Sequence, residues 1–353
     1  MTSYDWNLNS APFLDLNRSN TNLIFTTAIT RKFSAKFTNK TGITYTKMYY
    51  DMDMNLAPHQ MHPMELISQG KGNTDLISGY TNSSIGISEQ VTLNVGVNAR
   101  VLTLNNSWTL EPRAGIKWQF SPKSSFALAY GLHSRMEKMD VYFVKTQGTG
   151  DRSVNKDLGF TRAHHMMLSY VFKISDNMNM KIEPYFQQLD DVPVIADSSY
   201  SVLNRRDFYV ENALVNRGKG RNIGVDITLE RYLNKGLYYM VTASIFDSKY
   251  YGGDRKWRNT LYNRNFIINV LGGKEWMVGR DKQNMFSVNF KITLQGGDSY
   301  APVDEVSTLL DPDREVQYNE TKTFSKQFSP MFITYFSVRY KIHRKKLSHE
   351  FSI

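Results

Sequence analysis

The sequence predicts an all-β chain, a partial antiparallel transmembrane β-barrel of about fourteen strands from a larger ring. Three observations carry this reading. Apolar and polar residues alternate with period two in run after run. Many runs last about 10–14 residues, where a globular strand takes ~5–6 and a membrane strand ~9–11. Short connections also alternate with long ones, as they do when turns line one rim of a barrel and loops the other.

Composition agrees. Hydrophobic residues make up 41% of the 353, and the mean hydropathy of −0.44 matches a water-soluble protein. No stretch approaches the ~20 continuous apolar residues of a membrane helix. A β-barrel escapes both tests because only one side of each strand is apolar. The 21 Tyr, 20 Phe and 10 Pro favour strands. The absence of cysteine excludes disulfides, thiolate metal sites and cysteine nucleophiles, and suits export through an oxidising compartment. The net charge of +10 is spread along the chain, often in turns. It reads as solvated and lumenal charge, with no nucleic-acid partner.

Taken in order, the first turn is Phe33-Ser34-Ala35 and the first long loop covers about 51–73. After the turn Ser88-Glu89-Gln90, residues Val91, Leu93, Val95, Val97, Ala99 and Val101 share one face. Thr92, Asn94, Gly96, Asn98 and Arg100 share the other. The 104–108 connection is short and breaks the rim asymmetry. Past the turn Ser121–Ser124, Phe126, Leu128, Tyr130 and Leu132 alternate with small residues and His133. Loops of about 137–159, 191–220, 251–263 and 297–330 interleave with turns at Ser175–Asn177, Leu233–Gly236, Gly279–Gln283 and His343–Lys346. Between them, Ile223, Val225, Ile227 and Leu229 alternate with Gly224, Asp226, Thr228 and Glu230. Phe286 to Leu294 and Phe336 to Ile342 repeat the pattern. Aromatics gather near strand ends, at Tyr45, Tyr49, Tyr50, Trp108, Trp118, Phe120, Tyr170, Phe172, Tyr250, Tyr251, Trp257 and Trp276, as a headgroup-level girdle requires. The polar face is expected inward, and Val95, Val225 and Val288 outward.

No catalytic motif survives inspection, and no cofactor is expected. His164 and His165 are adjacent in a strand, so they point to opposite faces and cannot share an ion. His59 and His62 lie in a polar loop with Met61 and Met64. Asp311-Pro312-Asp313 lacks the spacing and glycine of a calcium loop, and the acidic 297–330 segment reads as a solvated loop. Arg217-Gly218-Lys219-Gly220-Arg221 is followed by a strand rather than a helix and is no phosphate loop. An enzyme is not predicted.

Several stretches resemble the C-terminal barrel of TonB-dependent receptors of the type common in Bacteroidetes. They include Leu110–Trp118, Ile182–Tyr185, Asp191–Val194 and above all Gly218–Asp226. The series continues through Arg258-Asn259-Thr260 to Gly272–Trp276 and Gln295-Gly296-Gly297. The resemblance spans about 110–350 and is specific as an ordered set. It implies a 22-stranded barrel closed by a plug, importing a scarce ligand (siderophore, cobalamin, glycan or peptide) with energy delivered by TonB. Its implied partners are outer-membrane lipid, a plug domain, TonB through that plug, a surface lipoprotein, and the ligand. The N-terminus shows no signal peptide, TonB box or plug. The expectation is one domain over 1–353, starting inside the barrel, without its first eight or so strands or its last. Alternation places Arg113, Lys117, Arg135, Asp226, Glu230 and Asn289 inward as ligand-binding candidates. The competing readings are an independent porin or adhesin barrel, which needs no plug, and a soluble carbohydrate-binding β-protein, which would fold without detergent.

Overall fold

A computed structural model describes residues 2–8, 11–57, 62–146, 152–206, 209–312, 315–344 and 346–353, with side chains from Leu14 onward. The strands are β1 (Thr2–Leu8), β2 (Ala11–Ser34), β3 (Phe37–Leu56), β4 (Glu65–Gly86), β5 (Val91–Leu102), β6 (Ser107–Ser121), β7 (Ser124–Arg135), β8 (Thr161–Ser175), β9 (Met178–Val194), β10 (Val215–Asn234), β11 (Leu237–Tyr251), β12 (Trp257–Asn259), β13 (Phe266–Val278), β14 (Asn284–Gln295), β15 (Ser299–Tyr300), β16 (Lys326–Gln327), β17 (Met331–His343) and β18 (Ser348–Ser352). Two short helices, α1 (Met139–Tyr142) and α2 (Glu305–Leu310), sit in loops. No helix among the described residues is long and apolar enough to cross a membrane.

Every long strand pairs antiparallel with the next, in one sheet running from β1 to β18. The short β12 pairs with β11, and β15 and β16 form a ribbon of their own. The seven expected turns are all present, at 35–36, 87–90, 122–123, 176–177, 235–236, 279–283 and between His343 and Ser348. At 235–236 both residues have positive φ, 51° at Lys235 and 76° at Gly236. That is the backbone twist two-residue hairpins favour, and it explains the glycine. Seven hairpins make fourteen strands; β1, whose alternation is too short to read, makes a fifteenth.

Which face is inside follows from what shares a cavity. Arg113 on β6 and Ile267 on β13 line one cavity although several strands separate them, so the sheet curves around that face. The pairing Gly96↔Arg113 puts Asn98, Arg100, Glu111 and Lys117 on this inner side, and Val95↔Ala114 puts the valines outside. Ile77, Val95, Val101, Leu110, Ile116, Leu128, Ile223, Ile245 and Phe290 are exposed on the outer face, and Val225 and Val288 partly so. Asn98, Thr109, Glu111, Ser169 and Ser287 are buried on the inner one. This is the reverse of a soluble β-sandwich and the arrangement a lipid-embedded barrel demands. One break in the belt is self-satisfied: Asn39 Nδ2 donates to Thr81 Oγ1 at 2.9 Å and Ser83 Oγ at 3.0 Å, while Thr41 Oγ1 donates to Asn39 Oδ1 at 2.9 Å.

Aromatic rings line the short-turn rim. Phe33 stacks on Phe37 at 4.9 Å. Trp118, Phe120, Phe126 and Tyr170 form a chain with centroids 5.3, 5.4 and 4.8 Å apart, and Trp276 meets Phe286 at 5.7 Å.

Two expectations need correction. The 51–73 segment is mostly strand: β3 runs to Leu56 and β4 starts at Glu65. Tyr50 and Tyr250 do not face lipid. Tyr50 packs inside against Phe143 at 4.5 Å, and the buried Tyr250 hydroxyl donates to the Ser199 carbonyl at 2.9 Å. Two of the long loops also fold inward, a packing that strand alternation does not foretell. Val141, Tyr142 and Val144 of the 136–160 loop are fully buried against Met48, Tyr50 and Met52 of β3, together with Val210 and Leu214 of the 195–214 loop. Backbone bonds hold the first loop in place, from Gln69 N to Phe143 O at 3.2 Å and from Lys145 N to Ile67 O at 2.8 Å.

Candidate ligand-binding cavities

The six predicted inward residues all stand on the inner side, at different heights. Arg113 and Asp226 come together, lining a cavity of about 710 Å³ with His133, His165, Tyr185 and Gln187. The pairing Asp226↔Ser244 faces the same way, and Ser244 Oγ donates to Asp226 Oδ1 at 2.5 Å. Lys117 lies lower, near the turns, in a basic pocket with Lys123 and Lys173. Glu230 is also near the turn end, opposite Met240. Asn289 is occupied: it accepts from the Tyr238 hydroxyl at 2.7 Å and donates to Ser337 Oγ at 3.2 Å. Arg135 stands highest, where β7 gives way to the 136–160 loop.

Sequence reasoning missed the hub that orients Arg113. Glu111 is fully buried, and its Oε2 accepts from Asn98 Nδ2 at 3.0 Å and from an Arg113 guanidinium nitrogen at 2.8 Å. Its Oε1 accepts from the Ser134 amide at 3.1 Å and the Ser134 hydroxyl at 2.5 Å, with Arg100 Nε at 3.6 Å. A carboxylate this enclosed persists because its lone pairs are all met. The pattern Asn98–Arg100 opposite Glu111–Arg113 was the available signal: four polar side chains at period-two spacing on paired strands.

The histidines behave as strand geometry requires. His164 turns outward, its Nδ1 2.9 Å from the Tyr130 hydroxyl. His165 turns inward, edge-on to His133 at 4.9 Å and 3.1 Å from Gln187 Nε2. Among the described residues no group of three or more His, Cys, Asp and Glu could hold a metal ion. His59, Met61 and Asp313 lie outside the described residues.

At the mouth, Arg135, Glu137, Lys138, Arg205 and Arg206 surround a second cavity of about 510 Å³. Asp140 at the start of α1 is held by Arg205 at 3.1 Å and Arg18 at 3.7 Å. Glu137 is buried, and burial pushes its carboxyl above the ordinary range despite the nearby Arg135 and Arg205 charges. Burial likewise pushes the Tyr142 phenol up to about 12. Beyond this lies a polar brace: Arg258 donates to both carboxylate oxygens of Asp254, at 2.9 and 2.5 Å, and these bonds hold the Asp254 carboxyl below its usual range.

No protein-family model matches the chain, and no curated protein sequence does. Solved structures do. The outer membrane transporter YddB from Escherichia coli superposes with a TM-score of 0.64 at 12% identity, covering 94% of this chain and 49% of that one. The ferric yersiniabactin uptake receptor FyuA from Yersinia pestis gives 0.64 at 8%, covering 99% and 55%. The ferric-catecholate import receptor Fiu from Escherichia coli K12 gives 0.63 at 11%, covering 96% and 50%. The chain therefore has the fold of the barrel in outer-membrane transport receptors, and it spans about half the length of the structures it matches. The barrel fold that the resemblance to TonB-dependent receptors implied is borne out, and these neighbours are transport receptors, not enzymes.

Proposed function

We propose that this chain is the barrel portion of a TonB-dependent outer-membrane receptor, which captures a scarce small molecule at its mouth and passes it inward past a plug. All of 1–353 acts as one barrel domain located in the outer membrane. Its proposed partners are lipid, the plug, TonB through the plug, and a surface lipoprotein over the mouth. The observation that carries the reading is the inversion of the sheet: apolar outside and polar inside along the belt, with two loops folded into the mouth. A passive porin leaves its lumen open, and the infolded loops favour capture over passive flow. Arg113 and Asp226 are the lumenal candidates for ligand contact. Lys117, Glu230 and Asn289 serve the lower lumen, where a plug would sit. The neighbours named for ferric-catecholate import and ferric yersiniabactin uptake support a scarce small-molecule ligand.

The cysteine-free background permits a direct test. Single variants Ser307→Cys, in the exposed α2, and Lys282→Cys, in a short turn, are exposed to a membrane-impermeant maleimide on intact cells. Labelling of Ser307→Cys alone, with Lys282→Cys reacting only after lysis, is expected. A chain that fractionates as soluble protein, or that labels at both positions in intact cells, sinks the assignment.

A further inference from the structure

Among the described residues, the mouth cavity bounded by Arg135, Lys138, Arg205 and Arg206 is lined by more cationic groups than anionic ones. Four cations face it, against the single lining carboxylate of Glu137. The adjacent Asp140 is already engaged by Arg18 and Arg205. Glu137 compensates Arg135 weakly: the pair stands 3.8 Å apart, with the Arg135 side chain 70% exposed and the glutamate 5%. The carboxylate is thus sunk in the wall while the guanidinium projects into the open space.

The wall behind these cations is packed and hydrogen-bonded. Lys138 immediately precedes α1, whose Val141 and Tyr142 are fully buried in the apolar core of the mouth. The Tyr142 hydroxyl caps the turn by accepting from the Glu137 amide at 3.2 Å. Arg205 is tied across from the other loop through Asp140. The backbone beside Lys138 and the Arg205 guanidinium are thus held before any ligand arrives, which lowers the ordering entropy of binding, while the Arg135, Lys138 and Arg206 side chains stand exposed at the cavity. Guanidinium forks match the planar geometry of carboxylate and phosphate and bind them in pairs of charge-assisted bonds.

We propose that this cavity binds an oxyanion group, carboxylate or phosphate, of a small-molecule ligand entering at the mouth. The proposal rests on the receptor reading for which side is the mouth. It assigns the first ligand contact to Arg135, Lys138 and Arg206 rather than to the deeper lumenal residues.

The test is calorimetric titration of the full chain, refolded in detergent, with citrate, pyrophosphate and, as a neutral probe, maltose at matched ionic strength. Binding of citrate or pyrophosphate but not maltose is expected, and which of the two binds tells carboxylate from phosphate. Arg135→Gln and Arg206→Gln should each weaken binding about tenfold, the loss of a charge-assisted bond. Arg135→Lys should recover part of it. Glu137→Gln should tighten binding, since it removes the opposing charge. Lys173→Gln, in the separate basic pocket near the turns, should change nothing. Failure of both anions to bind overturns the site. So does equal weakening by Lys173→Gln, which would make the attraction a general lumenal one, and so do unchanged affinities in both arginine variants. A chain that labels correctly on cells yet binds neither anion loses this site and keeps the receptor assignment. One that binds them but labels on the wrong side does the reverse.

Discussion

The strand β3 passes through two regions that obey opposite rules. In its lower half, Ile43 points outward and is 54% exposed, while its upper half turns Met52 inward at 3%. The outer face above the belt is charged instead, with Lys47 3.1 Å from Asp75 and Lys71 2.6 Å from Asp51. The backbone register continues through both halves, with Ile43↔Gly79 and Met52↔Gly70 in the same ladder. What changes is the solvent beyond the outer face. Where it is lipid, apolar side chains are free to face out and polar ones collect inside. Where it is water, the sheet packs an apolar core against the infolded loops, as a soluble domain does.

Removing the centre of the upper core breaks the comparison most severely. Tyr142→Ala deletes a fully buried ring and should destabilise the mouth by about 3–5 kcal/mol. Hydrogen exchange should rise sharply over 139–146 and 66–70 and stay slow in β6–β8. Equal acceleration in the belt would mean that the two regions are one cooperative unit. The next effect sits in the belt itself. Met167 and Leu168 are 42% and 40% exposed, yet they face the lumen and the lipid respectively. Leu168→Arg should cost about 2–4 kcal/mol of stability in a bilayer, and Met167→Arg, entering the 710 Å³ cavity, little. Similar denaturation midpoints for the two variants in lipid vesicles would contradict the assignment of faces.

The belt was legible in the sequence because lipid and lumen impose a period-two signal that continues without interruption, and because hairpin turns punctuate it. The upper half of β3 was not. In Ile43-Thr44-Tyr45-Thr46-Lys47-Met48-Tyr49-Tyr50-Asp51-Met52 the apolar phase slips from odd to even positions, so the alternation dissolves where the solvent changes. That slip read as a loop over 51–73. The inward packing of Val141 to Val144 was equally hidden, since a short apolar run in a long connection has no period to say what it covers. The candidate site was legible as a set of inward residues. It was not legible as a constellation, because strand alternation fixes a face but not a height, and Arg113 meets Asp226 only through the curvature of the sheet.

Glu111→Gln probes the lumenal side of the belt with a smaller effect. It keeps the shape but leaves Arg100 and Arg113 without their shared anion and removes an acceptor from Ser134. A loss of about 1–3 kcal/mol is expected. The cavity lined by Arg113 should also loosen, seen as faster exchange at Gly131 and Ser134. An unchanged melting midpoint in micelles would show that the two arginines are satisfied elsewhere.

The smallest expected effect lies in the 252–264 loop and depends on pH. Bonds from Arg258 depress the folded-state value of Asp254 below its ordinary 3.8, so the pair stabilises the loop at every pH above that value. The contribution disappears as pH falls from 3.8 towards the depressed value, where the folded carboxylate also takes up its proton. The pair is only partly enclosed, with side-chain exposures of 7% for Arg258 and 19% for Asp254, and its net worth is on the order of 1 kcal/mol. Asp254→Asn should therefore lower loop protection at neutral pH and abolish the acid-induced loosening, since no proton remains to bind. Local exchange over 252–260, followed from pH 7 down to pH ~3, distinguishes the two states. If wild type and Asp254→Asn loosen in parallel as acid is added, the acid sensitivity belongs to another carboxylate, and water-side bracing of this loop does not depend on the Asp254–Arg258 pair.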